Sequence, residues 1–215
     1  MRRACLVAGT AVLALAWFGP LPALAARSFA AHMTLHMAVV AVAAPCLALA
    51  IAGSRADPVR AIPRLVAPIQ ASIIEFVVVW GWHAPALHLA ARHAAWALVL
   101  EQASFLAAGF QLWIAACGGD HAEKRVRAGA GVVALLFTSM HMTLLGALFA
   151  LASRPLFLHG PDAASSLDDQ HLGGTIMLLV GGTSYLLGGL WLTAGLLGTG
   201  RPGAAPTSIV REEPS

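Results

Sequence analysis

The chain has 215 residues, of which 59% are hydrophobic and only 11% charged, with mean hydropathy +0.77. A soluble domain carries about 25% charged residues, so this chain cannot cover itself with a polar surface, and a water-soluble globular domain is excluded. The formal net charge of +3 does not imply a nucleic-acid partner, because the basic residues punctuate apolar runs, where they act as orientation signals beside membrane lipid. Cys5, Cys46 and Cys117 lie within apolar runs and form no Cys-x-x-Cys pair, so neither a disulfide framework nor a thiolate zinc site is expected.

Runs of roughly 20 apolar residues cross a bilayer as helices. Six such runs, at about 4–25, 30–52, 65–83, 93–117, 128–152 and 171–198, predict an all-α membrane protein built as a bundle of six transmembrane helices. Arg2 and Arg3 before an apolar stretch, with Leu21-Pro22-Ala23-Leu24-Ala25-Ala26 after it, also have the layout of a secretory signal peptide. Residues 1–26 are therefore a first helix or a signal peptide, which would leave five spans. Residues 27–200 form the polytopic domain, and 201–215 a cytoplasmic tail expected to be disordered. With the amino terminus inside, ten basic residues fall on cytoplasmic segments, namely Arg2, Arg3, Arg55, Arg60, Arg64, Lys124, Arg125, Arg127, Arg201 and Arg211. Only three, Arg27, Arg92 and Arg154, fall outside. Basic residues concentrate on cytoplasmic loops, so both termini are expected in the cytoplasm if the first helix is retained.

On that map the second helix opens outside with His32-Met33-Thr34-Leu35-His36-Met37. Residues i and i+4 share a helix face, so His32 stacks on His36, and Met33 on Met37 beside them. His83 ends the third helix outside, and His88 and His93 lie in or beside the next outer loop. His159 and His171 flank the last one, and only His121 is cytoplasmic. Met140-His141-Met142 puts a second His/Met group inside the fifth helix, where an imidazole is costly without a partner. Met177 adds a thioether in the outer half of the last helix. Imidazole with thioether suits copper, with Cu(I) the expected state. The candidate ligands are His32, His36, His83, His141, Met33, Met37, Met140 and Met177.

Glu75 and Glu101 are ionisable groups within spans, placed to steady a ligand histidine or relay protons. Asp168, Asp169 and Gln170, with His171, cap the start of the last helix and bring negative charge to the outer face. Glu101, Glu75, Asp169, Gln170 and His171 are accordingly candidate supports around the ligands. Trp80, Trp82, Trp96 and Trp113 read as interface anchors. The pairs Gly173-Gly174, Gly181-Gly182 and Gly188-Gly189 offer small faces for close helix contact.

Four motifs in order carry a family resemblance: His32-Met33-x-x-His36-Met37, Trp82-His83-x-Pro85, Glu101-x-x-x-Phe105-Leu106 and Asp169-Gln170-x-x-Gly173-Gly174-x-x-Met177. Over roughly residues 28–198 the chain resembles the multi-spanning CtaG family of cytochrome c oxidase assembly factors. The resemblance implies a bacterial inner-membrane protein that helps to mature a haem–copper oxidase by handling copper. It also implies functional roles for His32, His36, His83 and the Asp169–Gly174 segment. Two departures stand out: Gln102 occupies a position where the family is expected to carry histidine, and longer members have seven spans.

The resulting expectation is a non-enzymatic assembly factor. It binds copper at its periplasmic mouth and passes it to cytochrome c oxidase subunits, with a periplasmic copper chaperone as a possible donor. The alternatives are a haem- or quinone-linked membrane redox protein, a copper permease, or a scaffold with no ligand.

Overall fold

The computed structural model describes residues 1–119, 124–158 and 163–198, and every regular element in them is helical. Helices α1 (Arg2–Phe18) and α2 (Leu21–Ala25) lead into α3 (Phe29–Ile51). Then follow α4 (Pro58–Ala61), α5 (Pro68–Trp82), α6 (Pro85–His93), α7 (Ala95–Cys117), α8 (Lys124–Ala150) and α9, which occupies residues 163–198. His121, His159 and the expected tail 201–215 lie outside the described residues.

Among the described residues four helices, α3, α7, α8 and α9, are long and apolar enough to cross a membrane. The pair α5 and α6, bent by 72°, brings the number to as many as five. The expected count of six, or five without the first helix, is not confirmed beyond these, and prolines give the reason. The run 4–25 breaks at extended Gly19 before Pro20, which leaves α1 with 17 residues. At 1.5 Å per residue α1 reaches about 26 Å, short of the roughly 30 Å of hydrocarbon. The run 65–83 yields the 15-residue α5. Ala84, ahead of Pro85, is held extended and turns the chain into α6.

Helix α3 is the most buried of the four long spans and packs against α1, α2, α7 and α9. Its interior Pro45 cannot donate to Ala41, and its ring crowds that carbonyl. The helix widens into a π segment, Ala38–Ala43, just before it. A carbonyl released in lipid must find another donor. Ser184 Oγ donates to Ala41 O at 2.7 Å and Tyr185 OH to Val40 O at 3.2 Å, both from α9. Helix α9 carries its own π segment, Met177–Gly182, whose Gly182 carbonyl accepts from Ser139 Oγ of α8 at 2.7 Å.

Glycines set the α8–α9 crossing. A Cβ on Gly146 would come within 2.7 Å of Leu178 N, and one on Gly174 would strike Ala150 N, so the two backbones touch. Side-chain hydrogen bonds fasten both ends of the bundle. At one end Arg2 donates to Ala52 O, and the Asp57 carboxylate accepts from the amides of Gly53, Val59 and Gly119. At the other, Arg92 donates to Ala26 O and Leu158 O. Trp113 is not an interface anchor. It is buried beside Tyr185, with ring centroids 5.7 Å apart, because its position on α7 faces the core.

Candidate metal centre

Ser28 starts α3 by accepting from Ala31 N, and one turn of α-helix then stacks His32 and His36. Their rings lie 4.3 Å apart, edge to face. Glu101, on the facing side of α7, reaches both. Its Oε1 is 3.2 Å from His32 Nε2 and 3.5 Å from His36 Nε2. One potential ligand atom from each of the three residues lies within 4.8 Å of the others, and all three are buried. A carboxyl group at membrane depth is expensive unless partnered, and here its partners are two imidazoles.

Gln102, the next residue on α7, lies against this group. Its Nε2 is 2.9 Å from His36 Nδ1 and 3.4 Å from Glu101 Oε2. With the amide so placed, His36 Nδ1 accepts and Nε2 carries the ring proton. Turning the amide over lets Oε1 accept from Nδ1–H, which frees Nε2 as a ligand. The residue in the expected histidine position therefore sets the tautomer of His36.

Two more histidines complete the group. The His83 ring is 5.7 Å from that of His36 and stacks on Phe149 at 5.6 Å. Its Nδ1 donates to Val79 O at 2.6 Å, which leaves Nε2 as a bare lone pair, buried and without a hydrogen-bond partner. His88 stands 4.7 Å from His32 and packs on Phe157 at 4.1 Å. Sequence reasoning did not select His88. It enters because the bend at Pro85 folds α6 back over the site, and Pro85 directly after Trp82-His83-Ala84 was the available signal. Two imidazoles and a carboxylate, their ligand atoms within 4.8 Å of one another, form a donor set that suits copper or zinc, and the His83 ring stands behind His36 outside that set. The buried Nε2 of His83 has no hydrogen-bond partner among the described residues and keeps its lone pair open.

Other predicted residues lie elsewhere. Met33 and Met37 are buried, but they follow their histidines by about 100° of helix rotation and face α9. A Cβ on Gly173 would touch Met33 Cγ at 3.1 Å. One on Gly181 would lie 3.1 Å from Met37 Sδ and 3.7 Å from Met142 Sδ. Met177 is buried as well, so the thioethers line a seam between α3, α8 and α9. Met140, by contrast, points outward and is 61% exposed, because it takes the lipid face of α8 while Met142 takes the inner one. His141 is buried between Phe76 and Phe137, at 5.2 and 5.6 Å, and among the described residues neither ring nitrogen has a hydrogen-bond partner and no other histidine ring contacts it.

The expected supports are redistributed too. Glu101 touches both histidines directly. Glu75 bonds to Tyr185 OH and, at 3.3 Å, to Thr138 Oγ1, tying α5 to α8 and α9. Asp169 lies well inside α9, so it does not cap that helix; it accepts from Ser28 Oγ at 2.7 Å and from the amides of Phe29 and Ala30, capping α3 instead. Gln170 accepts from Leu156 N at 2.7 Å and donates to Phe149 O, and His171 donates to Ala152 O at 2.8 Å. Asp169 and Gln170 thus position the histidine helix and the Phe149 wall, without touching the imidazoles in any hydrogen bond.

No curated protein and no solved structure matches the chain. A family model described as cytochrome c oxidase caa3 assembly factor matches residues 1–198, which include every residue of the His/Glu cluster and both π segments. The chain belongs to the family of cytochrome c oxidase caa3 assembly factors.

Proposed function

We propose that this protein binds copper at His32, His36 and Glu101, with His83 as fourth donor, and supplies it to cytochrome c oxidase subunits during their assembly. The observation that carries this reading is the buried cluster in which Glu101 Oε1 meets both Nε2 atoms of α3, with the His83 ring 5.7 Å from that of His36. Imidazole accepts copper in either oxidation state, and the thioethers of Met33, Met37 and Met177 lie away from the cluster in the seam with α8 and α9. The 10-to-3 division of basic residues supports a periplasmic position for the cluster in a bacterial inner membrane. There a periplasmic chaperone could load it.

Two observations support copper over the alternatives. The paired imidazoles of α3 are 4.3 Å apart, which leaves no slot for a porphyrin between them. Glu75, the polar group of the inner half, is engaged by Tyr185 and Thr138 instead of lining a path through the bundle. The test is complementation of a deletion strain, read as the copper content of the purified oxidase. Wild-type protein restores copper, and Glu101→Ala accumulates in the membrane but leaves the oxidase copper-deficient. A fully loaded oxidase in the Glu101→Ala strain overturns the proposal.

A further inference from the structure

A chamber of about 20 Å³ lies against His32, walled by Ala25 and Ala26 at the end of α2, Ala91 and Arg92 of α6, and Leu98 of α7. It has room for about one water molecule or ion, since such a site needs about 10–15 Å³. Ala26 is exposed and Arg92 half-buried, so the outer wall borders the surface, whereas His32 at the inner wall is only 1% exposed. An ion does not come through hydrocarbon; it has to arrive at the end of the bundle where Ala26, Arg92 and Leu158 lie.

Arg92 closes that end. Its Nε donates to Ala26 O at 3.1 Å and its Nη1 to Leu158 O at 2.6 Å, so one guanidinium ties α6 to the end of α2 and to the segment after α8. The alanine walls are helix surface and shift only when a helix shifts. The Arg92 side chain is long and flexible, both its acceptors are neutral carbonyls, and both hydrogen bonds are exposed, so water can replace them. It is the part of the wall able to move alone.

We propose that Arg92 is the latch on the ion's route to His32: bonded to Ala26 O and Leu158 O it shuts the chamber, and swung outward it opens the way to the cluster. This inference rests on the copper reading of the His/Glu cluster and adds the path and its control.

The test uses full-length protein in phosphatidylcholine nanodiscs under anaerobic conditions, with Cu(I) loading and chelator-driven release timed by stopped flow. A hydrogen bond from a charged donor is worth about tenfold or more in an equilibrium, so Arg92→Ala should raise both rates at least about tenfold. Ala91→Leu fills the chamber and should slow both, with copper stoichiometry unchanged. Melting temperatures check folding: Arg92→Ala decides alone if Ala91→Leu folds poorly. Arg92→Lys, able to hold one carbonyl and not both, replaces Arg92→Ala if that variant folds poorly, with a smaller rise in both rates expected. In metal-free protein, diethyl pyrocarbonate should modify His32 faster in Arg92→Ala than in wild type, read by mass spectrometry. Wild-type rates in Arg92→Ala overturn the inference. So does faster loading with slower release, the result of removing a repelling charge alone. The labelling needs no copper, so a wild-type protein that binds none removes the metal reading, while equal labelling of His32 in the two proteins overturns the latch.

Discussion

Replacing Glu101 with glutamine removes one negative charge from between two imidazoles and keeps nearly the same volume. The carboxylate lies 3.2 Å from His32 Nε2 and 3.5 Å from His36 Nε2, so an ion held by those nitrogens would sit within about 4 Å of it. Unit charges at about 4 Å and an effective permittivity near 20 attract by about 4 kcal/mol, gross of the cost of burying the carboxylate. A group that only orients a ligand costs about 10–100-fold in affinity when lost. Direct ligation therefore predicts at least about a hundredfold weaker copper binding in Glu101→Gln, since each 1.4 kcal/mol is about tenfold. Competition against a chromogenic Cu(I) chelator, under anaerobic conditions with protein in nanodiscs, measures it. Glu75→Gln is the control: its partners are Tyr185 and Thr138, and its copper affinity should match wild type. A loss below tenfold in Glu101→Gln would refute the reasoning.

Further outcomes follow from the packing. His83→Phe keeps the stack on Phe149 but removes the open Nε2, and should weaken copper by about 10–100-fold in the same competition. Met140→Leu and His141→Leu should both leave copper stoichiometry unchanged. His141→Leu should also raise the thermal midpoint, since a buried imidazole with unmade hydrogen bonds costs about 1–3 kcal/mol. Asp169→Ala strips the α3 amino terminus of its side-chain acceptor from α9 and should destabilise the protein by about 1–3 kcal/mol, seen as a lower melting temperature. Gly174→Leu drives a side chain into the Ala150 backbone and should prevent stable accumulation in the membrane, read by immunoblot.

The sequence showed what helical periodicity can show. His32 and His36 are one turn apart on a single helix, so their stacking needed no knowledge of neighbours. His83 at the end of an apolar run could be set at the same depth by counting residues. The rotation of one helix against another is not in the count. Met140, His141 and Met142 look alike in the sequence, yet one faces lipid, one lies between phenylalanines and one enters the methionine seam. Glu101 read as a support, and only the approach of α7 to α3 makes it a direct contact. Asp169 read as the cap of its own helix; because α9 begins earlier, at residue 163, its carboxylate lands on α3. Prolines were the signals least used. Pro20 and Pro85 shorten two expected spans, and Pro45 opens the π segment whose freed carbonyls Ser184 and Tyr185 occupy.

X-ray absorption at the copper edge, on protein loaded with a single equivalent, tests the central claim most directly. The account predicts a shell of nitrogen and oxygen with the multiple scattering of at least two imidazoles, lost in His32→Ala/His36→Ala. A shell dominated by sulfur, or a wild-type spectrum in that double variant, would contradict it.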